Sequence, residues 1–217
     1  VSGRKGLNDF TVFTKQLLEN SADYHYYREL KDAINANEFT LYFQPICNLF
    51  EGDVIAYEAM LRWNHNELGA LLPENFIHVI ERSGDAGWVG RWAYEQMIIG
   101  YRNFLKMHPN TRIAFSMNLS IRQLSDPKIC DELYKIAVKY GVPVEGVCFE
   151  IPESAILGRN VMLAENIEKL VQCGFMLAAD GFGLEPNAVA RLGDRRMFDW
   201  IKLNERFTNT IQNGDPD

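Results

Sequence analysis

Cysteine is scarce and scattered in this chain. The four thiols, Cys47, Cys130, Cys148 and Cys173, form no Cys-x-x-Cys pair and have no histidine cluster beside them, which excludes a zinc or dithiol motif legible from spacing. Each is expected to be a small buried hydrophobe. Long apolar runs are missing too: none approaches the roughly 18 residues of a membrane span, and no basic-then-apolar signal segment opens the chain. Positive charge is in deficit, with 22 Lys and Arg against 29 Asp and Glu and a net charge of −7. Without a clustered cationic face, sequence-independent binding to a phosphate backbone is not the expected mode. The histidines His25, His65, His78 and His108 share no metal-binding spacing and are expected at the surface or in loops. A reducing, cytoplasmic setting fits these deficits, with membrane attachment elsewhere in a parent protein left open.

What is present is enough for a sizeable core: 217 residues, 47% hydrophobic and 12% aromatic. The chain starts at Val1 and ends in the polar stretch Asn213-Gly214-Asp215-Pro216-Asp217, and it reads as part of a longer polypeptide. Residues 1–37 read as a linker and lead-in helix, with Tyr27, Leu30 and Ile34 at helical spacing. Residues 38–217 read as the folded domain. Strands are predicted over 39–46, 54–61, 112–119, 146–151, 175–180 and 200–203 from β-branched and aromatic runs. Helices are predicted from Pro73 to just before Gly84, over 89–105, after Asp126-Pro127 as far as Gly141, over 160–173, and briefly over 188–192.

Strands apolar on both faces that alternate with helices imply parallel pairing under a helical layer, an α/β fold with the character of a TIM-like (β/α) barrel. Five polar residues interrupt those strands: Glu58, Asn118, Glu150, Asp180 and Lys202. The spacing of the later four matches one βαβ unit of about 30 residues, so the five are expected on one rim. The C-terminal strand ends of such a barrel carry its chemistry. One polar residue there would as readily cap a strand; five in one register point to a site.

The stretches Tyr42-Phe43-Gln44-Pro45-Ile46, Tyr57-Glu58-Ala59-Met60-Leu61-Arg62-Trp63, Asn118-Leu119-Ser120, Glu150-Ile151-Pro152-Glu153, Asp180-Gly181-Phe182-Gly183 and Ile201-Lys202-Leu203-Asn204-Glu205 together resemble the EAL family of cyclic di-GMP phosphodiesterase domains. The resemblance runs from about Glu38 to Phe207. It implies a barrel that binds extended cyclic di-GMP at the strand C-termini, where one or two Mg²⁺ or Mn²⁺ ions activate a water in active members. It places Glu58, Asn118, Glu150 and Asp180 on metal-ligand positions, Lys202 on a water-orienting lysine, Arg62 on a phosphate-holding arginine and Gln44 on a pocket-lining glutamine.

The departures from that family pattern are as informative. Active members carry two consecutive aspartates where this chain has Asp180-Gly181, and an aspartate where it has Asn204. The small hydroxyl-rich loop that follows has become Leu184-Glu185-Pro186-Asn187, and proline fixes φ and removes an amide donor. Only six strands are predicted from Phe39 onward, two short of a full barrel, so the C-terminal βα units and the glutamate of the seventh strand are expected in the parent protein. The expected function is therefore a degenerate, catalytically inactive regulatory domain, its metal positions vestigial and no cofactor required, with Mg or Mn relevant only to residual activity. It would act through another protein or through cyclic di-GMP, with homodimerisation open. The alternatives from other classes are indirect control of small-RNA decay and a residual phosphodiesterase; the acidic balance argues against direct contact with nucleic acid. Trp88 and Trp92 read as a packing stripe, and Arg191, Arg195 and Arg196, beside Asp194 and Asp199, as a solvated helix end.

Overall fold

The structure, a computed structural model, describes residues 32–33, 36–83, 86–158, 160–183 and 197–207. The lead-in helix falls mostly outside these residues, as do the helix expected over 188–192, the Arg191, Arg195 and Arg196 group, the loop from Leu184 and His25.

The strands are β1 (Phe39–Cys47), β2 (Val54–His65), β3 (Gly69–Leu71), β4 (Ala114–Asn118), β5 (Val147–Pro152), β6 (Met176–Phe182) and β7 (Trp200–Leu203). The helices are α1 (Pro73–Ser83), α2 (Ala86–Met107), α3 (Ile121–Leu124), α4 (Ile129–Tyr140), α5 (Glu153–Leu157) and α6 (Val161–Gln172). One sheet runs in the order β1-β2-β4-β5-β6-β7, with β3 paired to β2. Along β2-β4-β5-β6-β7 the pairing is parallel, as the alternation of apolar strands with helices requires, whereas β3 pairs antiparallel with β2.

The chain divides into two compact units, residues 1–40 with 62–85 and residues 41–61 with 86–217. In the larger unit, odd-numbered strand residues Phe115, Met117, Phe149, Ile151, Leu177 and Ala179 join Tyr94, Met97 and Ile98 of α2, Leu133 of α4 and Ile167 of α6 in one buried cluster. Even-numbered positions point to the other face because side chains alternate along a strand. There Ala56, Ser116, Cys148 and Ala178 are small and fully buried. In the smaller unit Phe39, Trp63 and Phe76 pack ring on ring, Phe39 stacked 5.3 Å from Trp63 and Phe76 edge-on to both. Trp63 Nε1 donates to Glu38 Oε2 at 2.9 Å.

Helix ends follow their sequence signals. Ser120 and Gln123 close a capping box on α3, Gly141 ends α4 in the left-handed conformation at φ 66°, and the Asn160 side chain caps α6. Asn166, fully buried on α6, donates to the carbonyls of Leu124 (2.7 Å) and Asp126 (3.0 Å) and so ties the α3–α4 turn to α6.

Three local expectations need correction. Asn64-His65-Asn66, expected from its polar composition as a loop after the second strand, is not simply a loop: β2 continues to His65 and turns into β3, pairing Trp63 with Leu71 and His65 with Gly69. His65 is therefore buried, its Nδ1 accepting from the backbone N–H groups of Glu67 and Leu68, which settles the turn. Cys47 is exposed, because it ends β1 at the margin of the described sheet. Cys130 and Cys148 are buried as expected, and Cys173 is half-buried.

Candidate functional site

The sheet register gathers the rim residues without help from any loop. Glu58 on β2 stands opposite Ser116 on β4, Asn118 on β4 opposite Glu150 on β5, and Glu150 opposite Ala178 on β6. Asp180 stands two residues beyond Ala178, and Lys202 two beyond Trp200, the β7 partner of Ala178. All share parity, and therefore a face. The five residues singled out on the strands thus converge.

Their centre is the Lys202 ammonium. Its Nζ donates to Glu58 Oε2 at 2.8 Å and Glu150 Oε2 at 2.5 Å and lies 3.9 Å from Asp180 Oδ1. The remaining glutamate oxygens are also engaged: Asn118 Nδ2 donates to Glu58 Oε1 at 3.3 Å, and Ser116 Oγ to Glu150 Oε1 at 2.7 Å. Every carboxylate oxygen of both glutamates therefore has a donor.

Glu150 is fully buried, and burial, with the nearby Glu58 charge, holds its carboxyl above the ordinary carboxylate range; Lys202 and the bond from Ser116 offset this only in part. For Lys202, burial works against the charge, yet Glu150 and Glu58 outweigh it and hold the ammonium above its usual value. The proton belongs on the lysine. Burial, and then Glu150 and Asp199, raise the neighbouring Cys148 thiol, which stays protonated and inert.

Beside this cluster the chain is bare. Gly181, at φ 66°, sits at an irregularity in the β6–β7 pairing, and a Cβ built on it would lie 3.9 Å from Asn204 Nδ2. The two positions at which the family pattern asks for aspartate thus face each other. The segment is held from behind: Asn204 N–H donates to the Phe182 carbonyl, and Gly183 N–H to Oε1 of the buried Glu153 at 3.0 Å.

Gln44 is exposed on β1, outside the hydrogen-bonded cluster, and Arg62 stands four residues beyond Glu58 on β2, half-buried and in the smaller compact unit. Ser116 is the member that sequence reasoning missed. Its signal is its position two residues before Asn118 on the same strand, hence on the same face.

Three carboxylates and an amide have the right chemistry for a hard divalent cation, but their arrangement does not fit one. The glutamate oxygens are already taken, Asn118 presents its N–H rather than its oxygen, and among the described residues no group of three His, Cys, Asp or Glu side chains is disposed to hold a metal.

The EAL domain family model matches residues 27–217. This chain belongs to the EAL domain family. The EAL domain here is 27% identical over 207 residues to the cyclic di-GMP phosphodiesterase PdeR of Escherichia coli, covering 95% of this chain and 31% of that protein. It is 27% identical over 179 residues to the cyclic di-GMP phosphodiesterase RocR of Pseudomonas aeruginosa, covering 82% of this chain and 45% of that one. It thus spans less than half of either relative. The PaMucR phosphodiesterase, solved in complex with c-di-GMP, superposes with a TM-score of 0.79 at 21% identity, over 87% of this chain and 75% of that chain. The fold is accordingly the TIM-like α/β fold of the EAL type.

Proposed function

We propose that this EAL domain belongs to a bacterial cyclic di-GMP signalling protein and works by binding the dinucleotide without cleaving it. The observation that carries the reading is the pairing of Gly181 with Asn204 across from a lysine-closed acidic cluster. Opening a phosphodiester in this family's manner needs an activated water and stabilisation of charge on the attacking and leaving oxygens. Here Lys202 is held protonated by its carboxylates, so it cannot serve as a base. Asn204 is neutral and Gly181 has no side chain. Binding has fewer requirements: the resemblance puts Arg62 on the phosphate, where a guanidinium fits two oxygens at once, and Gln44 on the pocket wall. The c-di-GMP held by the structurally similar PaMucR supports the choice of ligand.

The test is turnover of cyclic di-GMP by the full-length protein with Mg²⁺ or Mn²⁺, together with calorimetric titration of the dinucleotide. No linear product and a binding isotherm weakened in Arg62→Ala are expected; appreciable linear product overturns the proposal. A second reading, a module that contacts another protein, is favoured by Leu49 and Phe50, each 98% exposed at the β1–β2 turn. That turn is held by bonds from Asn48 N–H to the Asp53 carbonyl, from Gly52 N–H to the Asn48 carbonyl and from Phe50 N–H to Asn48 Oδ1. No heat with cyclic di-GMP would move the reading to this module.

A further inference from the structure

We propose that Lys202 is the resident cation of the acidic rim, an internal counter-ion seated where a divalent metal would have to bind, so that the protein excludes metal with its own side chain. This deepens the non-hydrolysing reading above, and its test measures ion binding rather than turnover.

An ammonium carries three donors and no acceptor. Two donors of Lys202 are committed to Glu58 Oε2 and Glu150 Oε2, and Asp180 Oδ1 lies 3.9 Å away. Three carboxylates from three separate strands are thus gathered on one lysine from a fourth. Glu150 has no exposed surface, so its charge cannot be left to water. Removing the lysine leaves that charge uncompensated, which favours a replacement cation.

A divalent ion entering the rim would need oxygens from the same carboxylates. With both glutamates fully hydrogen-bonded, it has to evict Lys202 and turn the Asn118 amide around as well. A site with aspartates at positions 181 and 204 would offer an ion two further carboxylates beside the lysine. In this chain that place holds a glycine and an amide, whose nitrogen is 3.9 Å from where the glycine's Cβ would be. Lysine and metal therefore compete for one set of ligands instead of sharing two.

The experiment is Mn²⁺ titration followed by electron paramagnetic resonance of the free ion, using the full-length wild type, Lys202→Arg and Lys202→Met. Wild type and Lys202→Arg are expected to bind Mn²⁺ weakly and alike. Lys202→Met is expected to bind about tenfold tighter or more, with the gain abolished when Asp180→Asn is added. Equal affinity in wild type and Lys202→Met overturns the proposal, even if the domain proves unable to hydrolyse cyclic di-GMP. Conversely, tighter Mn²⁺ binding by Lys202→Met alongside a wild type that gives no heat with cyclic di-GMP would support metal exclusion while sinking the dinucleotide-binding reading. If Lys202→Met does not hold its fold alone, thermal unfolding decides: Mn²⁺ should restore a cooperative transition to that variant and leave the wild-type transition unmoved, and failure to restore it overturns the proposal.

Discussion

At the scale of single residues, the buried polar atoms are unequal. Glu150 has two donors and Ser116 exists to supply one of them, whereas the Tyr94 hydroxyl is buried with no hydrogen-bond partner among the described residues. Burial accordingly pushes the Tyr94 phenol well above its ordinary value. An unmet hydroxyl in a protein interior costs free energy rather than supplying it. Tyr94→Phe is therefore expected to leave stability within about 1 kcal/mol of wild type, on the stabilising side, in urea unfolding; a loss of about 2 kcal/mol would show that the hydroxyl has a partner. Glu58, Asn118, Glu150, Asp180 and Lys202 were legible because polar residues inside apolar strands stand out. Ser116 was not, since a serine in a strand is unremarkable until its register beside Glu150 is known.

Between elements, much of the order comes from short polar ties laid over apolar packing. Glu95 of α2 accepts from Lys139 Nζ at 2.7 Å and from Tyr140 Oη at 2.6 Å, both on α4. The bond from Lys139, then that from Tyr140, holds the Glu95 carboxyl below its ordinary 4.5. A carboxylate with a lowered folded pKa stabilises the fold above its unfolded value, and that contribution is lost as pH falls through the folded one. Glu95→Gln is thus expected to lower Tm by no more than about 2 °C at neutral pH, since the pair is solvent-accessible. The gap to wild type should close in acid, and a gap that persists below the Glu95 titration would refute the assignment. Helix limits were largely readable from Pro73, Asn160 and Gly141. The β3 turn was not, because Asn64-His65-Asn66 has loop composition and only its pairing makes it a strand end.

For the molecule as a whole, an EAL domain of this net charge, −7, shows no helix among its described residues long and apolar enough to cross a membrane. The most exposed apolar side chains among the described residues, Leu49 and Phe50, contribute little to the fold. Replacing both with serine is expected to change unfolding free energy by less than about 0.5 kcal/mol. If the protein-contact reading holds, the same change weakens that contact while cyclic di-GMP titration stays as in wild type. A large loss of stability would mean that the turn packs against something within the chain.

Composition and period settled the class of fold: apolar strands alternating with amphipathic helices have few arrangements that bury both, and parallel pairing under helices is one of them. The same reading located a polar rim, and the resemblance to the EAL family pointed to two missing carboxylates at Gly181 and Asn204. It could not tell that these two positions face each other, nor that Lys202 reaches Glu58 across 144 residues and Glu150 across 52. Hydrophobic periodicity is a local property, readable within a dozen residues of chain. Which charge neutralises which is fixed only when strand register sets distances between residues remote in sequence, and on that pairing the chemistry of the rim depends.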